Sequence, residues 1–105
     1  MTDAVEIVTT GPADVIARIT EQLVEERLIA CAHLTPIESV YRWKGKVEHD
    51  RETRAAMHTT AALAERVTAR AVELHPYEVP CVIVLPLTSG AQAYQEWVAA
   101  ETRSK

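Results

Sequence analysis

The sequence contains no phenylalanine, only three glycines and only two cysteines among 105 residues. Without Phe, and with two Trp and three Tyr in all, a core has to be assembled from Val, Ile, Leu and Ala. Cys31 and Cys81 stand far apart and form no CxxC pair, which excludes a disulfide scaffold and fits a cytoplasmic protein with reduced thiols. No apolar run approaches the roughly 20 residues that cross a bilayer. Met1-Thr2-Asp3-Ala4 places no basic stretch ahead of an apolar one, so neither a membrane segment nor a secretory signal is expected. Lys/Arg clusters are missing too. With 11 basic and 15 acidic residues the net charge is -4, which argues against nucleic acid or an anionic membrane as partner. Walker, GxGxxG, GxSxG, HExxH and EF-hand patterns are all missing, which argues against several large enzyme classes; no activated nucleophile stands beside a base, and a non-enzymatic role is expected.

What is present alternates between two periodicities. A single domain over 1–105 is expected from the length. Residues 4–10 are short, β-branched and apolar, and predict a strand. Gly11-Pro12 ends it and opens a helix. Val15, Ile16, Ile19, Leu23 and Leu28 then recur at three- to five-residue steps opposite Arg18, Glu21, Gln22, Glu25 and Glu26, which predicts an amphipathic helix over 12–28. Residues 30–44 read as a strand with a bend or bulge near Pro36. Lys44-Gly45-Lys46 forms a tight turn, and 47–59 returns as a second long strand. Thr59 or Thr60 is placed to cap a helix whose buried stripe is Leu63, Val67, Ala71 and Leu74, stopped by His75-Pro76. Residues 80–87 predict a fourth strand. Gly90 introduces a last helix with Tyr94, Trp97 and Val98 on one side. The fold class is therefore α+β: a ferredoxin-like βαββαβ pattern with a long central hairpin and a C-terminal helix.

The hairpin is the unusual element. Ordinary strands run about five or six residues. Two of roughly a dozen, at about 3.3 Å per residue, reach on the order of 40 Å, beyond the width of a compact domain of this length. Tyr41 and Trp43 share one face of the ribbon. A projecting two-stranded ribbon is marginal in water and its edges invite pairing, so packing among copies of the same chain is expected.

Some residues could carry chemistry. His75, Tyr77 and Glu78 lie in one loop and could bind a metal or a polar ligand, or act as an acid/base cluster. Their structural alternative is a histidine favoured at a helix C-terminus, with Tyr77 and Glu78 bracing the loop. Cys31 would suit a soft ion such as Cu(I) as a thiolate, but free cysteines mostly behave as small buried apolar groups, and Cys81 still more so. Glu48, Asp50 and Glu52 alternate along one strand face and would hold a hard cation weakly, or stay solvated or pair between subunits.

Several segments resemble one family. Glu26-Arg27-Leu28-Ile29-Ala30-Cys31-Ala32, Tyr41-Arg42-Trp43-Lys44-Gly45-Lys46-Val47-Glu48, His75-Pro76-Tyr77-Glu78-Val79-Pro80, and Leu85-Pro86 with Gly90, Tyr94 and Trp97 follow the order of the CutA proteins over nearly the whole chain. The resemblance implies a ferredoxin-like fold assembled as a homotrimer through the long hairpins. It also implies a link to divalent-cation tolerance, copper especially, and a likeness to PII-type signalling trimers. On that basis the metal candidates are His75, Cys31 and Glu78, with a divalent cation (copper) as ligand and no essential cofactor. The sequence departs from the family at Thr9, where copper-binding relatives carry Cys, and at Leu74-His75, where they carry a His pair. It also departs at Cys81, often acidic in the family, and at His58, commonly a basic residue.

Overall fold

The structure is a computed structural model, and it describes residues 3–102. In chain order the elements are β1 (Ala4–Gly11), α1 (Ala13–Glu25), β2 (Cys31–Trp43) and β3 (Lys46–Thr60). A short 3-10 turn (Ala61–Leu63) leads into α2 (Ala64–Leu74), then β4 (Val82–Pro86) and α3 (Gln92–Glu101). The sheet has the order β2-β3-β1-β4, every neighbouring pair antiparallel. That is the ferredoxin-like arrangement expected from the element order.

Strand alternation divides the sheet into two faces. On one, Val5, Ile7, Ala55 and Met57 meet Val15, Ile16, Ile19 and Leu23 of α1 and Val67 and Ala71 of α2 in one buried cluster. On the other lie Glu6, Val8, Ala56 and His58. α3 covers only one end of this second face: Tyr94 reaches Cys31 and His58, and Arg27 at the end of α1 donates to the Ala100 carbonyl at 3.1 Å.

Local departures from the sequence-based expectations have identifiable causes. α1 stops at Glu25, three residues before the expected end at 28, because Arg27 turns left-handed (φ 62). The Leu28 N–H then bonds the Leu23 carbonyl and the Arg27 N–H the Val24 carbonyl, a Schellman closure. Leu28 still belongs to the core, as the apolar residue past the cap that packs back on the helix. No bulge occurs at Pro36. β2 and β3 keep one register from Trp43↔Lys46 through Pro36↔Thr53 to Cys31↔His58. β2 is an outer strand, where a missing N–H can face solvent. Neither Thr59 nor Thr60 caps α2; the 3-10 turn intervenes, and the buried Thr59 hydroxyl donates instead to the Leu28 carbonyl at 2.6 Å. β4 is shorter than 80–87, and Cys81 lies exposed ahead of it rather than buried at its start.

The hairpin behaves as the strand lengths demand. Its two-residue turn has positive φ at both Lys44 (50°) and Gly45 (83°), the combination that matches strand twist. The molecule measures 44 × 26 × 21 Å. Core contacts end near Glu52 on β3, and beyond it Val40 (65% exposed) and Val47 (56%) stand in solvent with Tyr41 and Trp43. The outer strand β4 likewise exposes Ile83, Val84 and Leu85.

Candidate functional site

Two side-chain groupings concentrate the chemistry, at opposite ends of the sheet. The first surrounds the loop after α2. His75 caps α2 and is 6% exposed. Its Nε2–H donates to the Thr10 carbonyl at 2.8 Å, and its Nδ1 accepts the Tyr77 N–H at 3.2 Å. Both ring nitrogens are thus occupied by backbone, and the loop is stapled to the end of β1. Gly11 is needed there: a Cβ on it would lie 2.9 Å from His75 Nε2. Tyr77 donates to Glu52 at 2.8 Å, and burial first, then Glu52, push its phenol well above the ordinary value. Tyr41 donates to Asp50, which pushes the Tyr41 phenol up to about 12. Two of the three alternating carboxylates therefore take phenol partners, and Glu48 sits directly across the ladder from Tyr41. An open cleft of about 960 Å³ runs between this loop and the hairpin, walled by Tyr41, Trp43, Asp50, Glu52, Tyr77 and Glu78. Glu78 is exposed and makes no side-chain hydrogen bond among the described residues. His75, Tyr77 and Glu78 thus share a loop without forming a hydrogen-bonded acid/base relay.

The second grouping lies on the sheet face away from α1 and α2. Cys31 and His58 are directly opposed across β2 and β3, and His33 follows Cys31 by two residues on the same face. Their ligand atoms all lie within 4.8 Å of one another, and among the described residues this is the cluster of three or more such groups. Cys31 Sγ and His58 Nδ1 are 3.8 Å apart, and the His33 and His58 rings meet edge-on at 5.5 Å. Glu6 Oε1 takes the other His58 nitrogen, Nε2, at 3.0 Å, while Arg54 stands 3.8 Å from the same carboxylate. Tyr94 Oη bridges His58 Nδ1 and Cys31 Sγ, the latter at 3.1 Å. Burial first, then Cys31 and Glu6, push the Tyr94 phenol up, so it stays protonated at neutral pH.

Of the three sequence-predicted metal candidates, only Cys31 falls in this cluster; His75 and Glu78 lie in the loop at the far end. His33 was not a candidate, and His58 was noted only as a departure from family pattern. Thr9, the other departure, is fully buried, and among the described residues its hydroxyl is the buried side-chain oxygen without a hydrogen-bond partner.

A four-stranded antiparallel sheet of ferredoxin-like order, with an overlong ribbon and polar clusters at its two ends, places the chain in a class of small α+β domains. The family model for "CutA1 divalent ion tolerance protein" matches residues 4–101, and the chain belongs to that family. The divalent-cation tolerance protein CutA of Thermus thermophilus is 38% identical over 98 residues, 91% of this chain and 95% of that protein. CutA from Xylella fastidiosa superposes with a TM-score of 0.93 at 33% identity, covering 97% of this chain and all of that one. The PII-like protein CutA from Nostoc sp. PCC 7120, in apo form, gives 0.90 at 35% identity, covering 94% and 97%. The family name describes tolerance of an ion, not a reaction.

Proposed function

We propose that this chain acts as a homotrimer in divalent-cation homeostasis, by binding the cation or by regulating in response to it, without catalysis. The carrying observation is the ribbon beyond Glu52, whose Val40 and Val47 stand open to solvent and whose Tyr41 and Trp43 remain over a third exposed. Left in water, a two-stranded ribbon is marginal, and an exposed apolar outer strand such as β4 templates pairing. Closed assembly of copies covers both. Copper is the cation that the family resemblance points to. Unbridged thiols at Cys31 and Cys81 support a cytoplasmic setting.

Light scattering on the purified chain at micromolar concentration tests the assembly. Three times the 11.6 kDa chain mass is expected, and Val40→Glu with Trp43→Glu is expected to lower it. A wild-type mass of 11.6 kDa overturns the reading. A second reading, favoured by the aromatic-walled cleft beside Tyr77, is a PII-like trimer that takes a small polar ligand between hairpin and loop. Ligand-induced quenching of Trp43 fluorescence without any cation supports it.

A further inference from the structure

The cluster at Cys31, His33 and His58 has a chemistry distinct from the acidic and phenolic groups around the far loop. It joins one sulfur and two imidazoles, with no carboxylate among the three. Hard ions such as Mg²⁺ or Ca²⁺ seek oxygen, whereas thiolate and imidazole together suit zinc-class and copper-class ions. The distances agree. At ordinary Zn–S and Zn–N lengths, tetrahedral coordination places a sulfur and a nitrogen about 3.5 Å apart. Cys31 Sγ and His58 Nδ1 are already at 3.8 Å without an ion between them. His33, exposed and on the same strand face, needs only a side-chain rotation to close from within 4.8 Å.

The surroundings add an orientation. Glu6 holds His58 through Nε2, which leaves Nδ1 as the nitrogen turned toward Cys31. A carboxylate behind a histidine in this way fixes the ring and its tautomer in metal sites. Arg54 on β3 stands beside Glu6, and Tyr94 from α3 closes the remaining side. The Tyr94 hydroxyl bridges Sγ and Nδ1, so the two donors already converge on one shared polar group.

We propose that Cys31, His33 and His58 form a binding site for a borderline divalent cation of the zinc class, with Glu6 as the residue that positions His58. On binding, the Cys31 thiol loses its proton to buffer, one S–metal and two N–metal bonds form, and the Tyr94 hydroxyl gives up its two contacts. The fourth position falls to that hydroxyl or to water. The assignment rests on the reading of the chain as a cation-binding protein, and names where and by what chemistry the ion is held.

The test titrates the intact assembly with Zn(II) by calorimetry and with Co(II) by absorption. The proteins are wild type, Cys81→Ser, Cys31→Ser, His33→Asn, His58→Asn and Glu6→Gln. One ion per chain is expected, with thiolate-to-cobalt charge transfer and the intense d–d bands of a four-coordinate ion. Cys81→Ser removes only an exposed thiol and is expected to bind as wild type. Cys31→Ser is expected to abolish the charge-transfer band. Glu6→Gln is expected to weaken binding about tenfold, and His33→Asn and His58→Asn to weaken it further. His33 is exposed, so its variant should keep the metal-free melting temperature and separates lost ligation from lost folding. A charge-transfer band that persists in Cys31→Ser, or wild-type affinity in His33→Asn, overturns this site while leaving cation binding elsewhere intact. A wild type that takes up neither ion overturns the site, and one that takes up no Cu(II) either, in a parallel titration, overturns the cation reading with it.

Discussion

Thr9 and Thr59 provide a matched pair for the energetics of buried hydroxyls. Both are 0% exposed, on the adjacent strands β1 and β3. The Thr59 hydroxyl donates to the Leu28 carbonyl at 2.6 Å, whereas the Thr9 hydroxyl has no partner among the described residues. Valine replaces the hydroxyl by a methyl of similar size, so packing is nearly conserved and the polar term dominates the outcome. A buried hydroxyl without a hydrogen bond carries a penalty of about 1–3 kcal/mol. Thr9→Val should therefore stabilise the fold by about 1–2 kcal/mol. Thr59→Val removes a donor and leaves the Leu28 carbonyl short of one, and should destabilise by about 1–3 kcal/mol. For a domain of this length each kcal/mol moves the melting temperature by about 4–8 °C, so the two variants should separate by about 10 °C or more. Thermal unfolding followed by circular dichroism, at one fixed protein concentration to hold assembly constant, measures the difference. A Thr9→Val protein that melts below wild type, or a Thr59→Val protein that does not, refutes the argument.

Two further substitutions probe other joints. Arg70 of α2 clasps Glu26 after α1 at 2.7 Å, and with Gln22 it holds the Glu26 carboxyl down to about 2. A carboxyl lowered in the folded state stabilises above its unfolded value of 4.5 and loses that contribution as pH falls toward 2. Arg70→Ala should thus lower the melting temperature at neutral pH, and only modestly because the pair is solvent-screened. Its melting temperature should converge on wild type by about pH 2; a gap independent of pH would exclude the ion pair as its cause. Gly11→Ala should destabilise by about 1–3 kcal/mol through overpacking, because its Cβ would press on His75 Nε2 and on Ile16 Cδ1, 3.3 Å away. Loss of the slowly exchanging His75 ring N–H in NMR spectra should accompany the lower melting temperature, and an unshifted midpoint would show that the ring moves freely.

The architecture was largely legible because it rests on local signals. Period-2 and period-3.6 patterns placed the strands and helices, Gly11-Pro12 and His75-Pro76 marked breaks, and Gly45 marked the turn. The misplaced helix end at Glu25 has a specific origin: Leu28 keeps the helical spacing of the core stripe although it is no longer helical. A Schellman closure returns the chain to the helix it has just left, so an apolar residue past the cap mimics one more turn. Arg27 at the left-handed position hid the cap, since glycine is its usual signal. Cys81 misled for a different reason. An apolar strand predicts burial only when something covers it, and β4 is an outer strand whose Ile83, Val84 and Leu85 are uncovered in the single chain.

The two polar clusters differ in how far any sequence argument could reach them. The His75 ring is bonded to a carbonyl 65 residues away, and no local pattern announces that contact. Cys31 and His58, by contrast, are related by the hairpin alone. A two-residue turn at Lys44-Gly45 sets Trp43 opposite Lys46, and an unbroken antiparallel ladder then advances residue by residue until Cys31 meets His58. His33 follows on the same face by alternation. The bend or bulge expected near Pro36 left this open, because one extra residue there would send Cys31 and His58 to opposite faces of the sheet. The sulfur–imidazole cluster is therefore a consequence of register. It exists because β2, as an outer strand, accommodates proline without a slip, and inserting one residue beside Pro36 should separate Cys31 from His58 while leaving the turn at Gly45 in place.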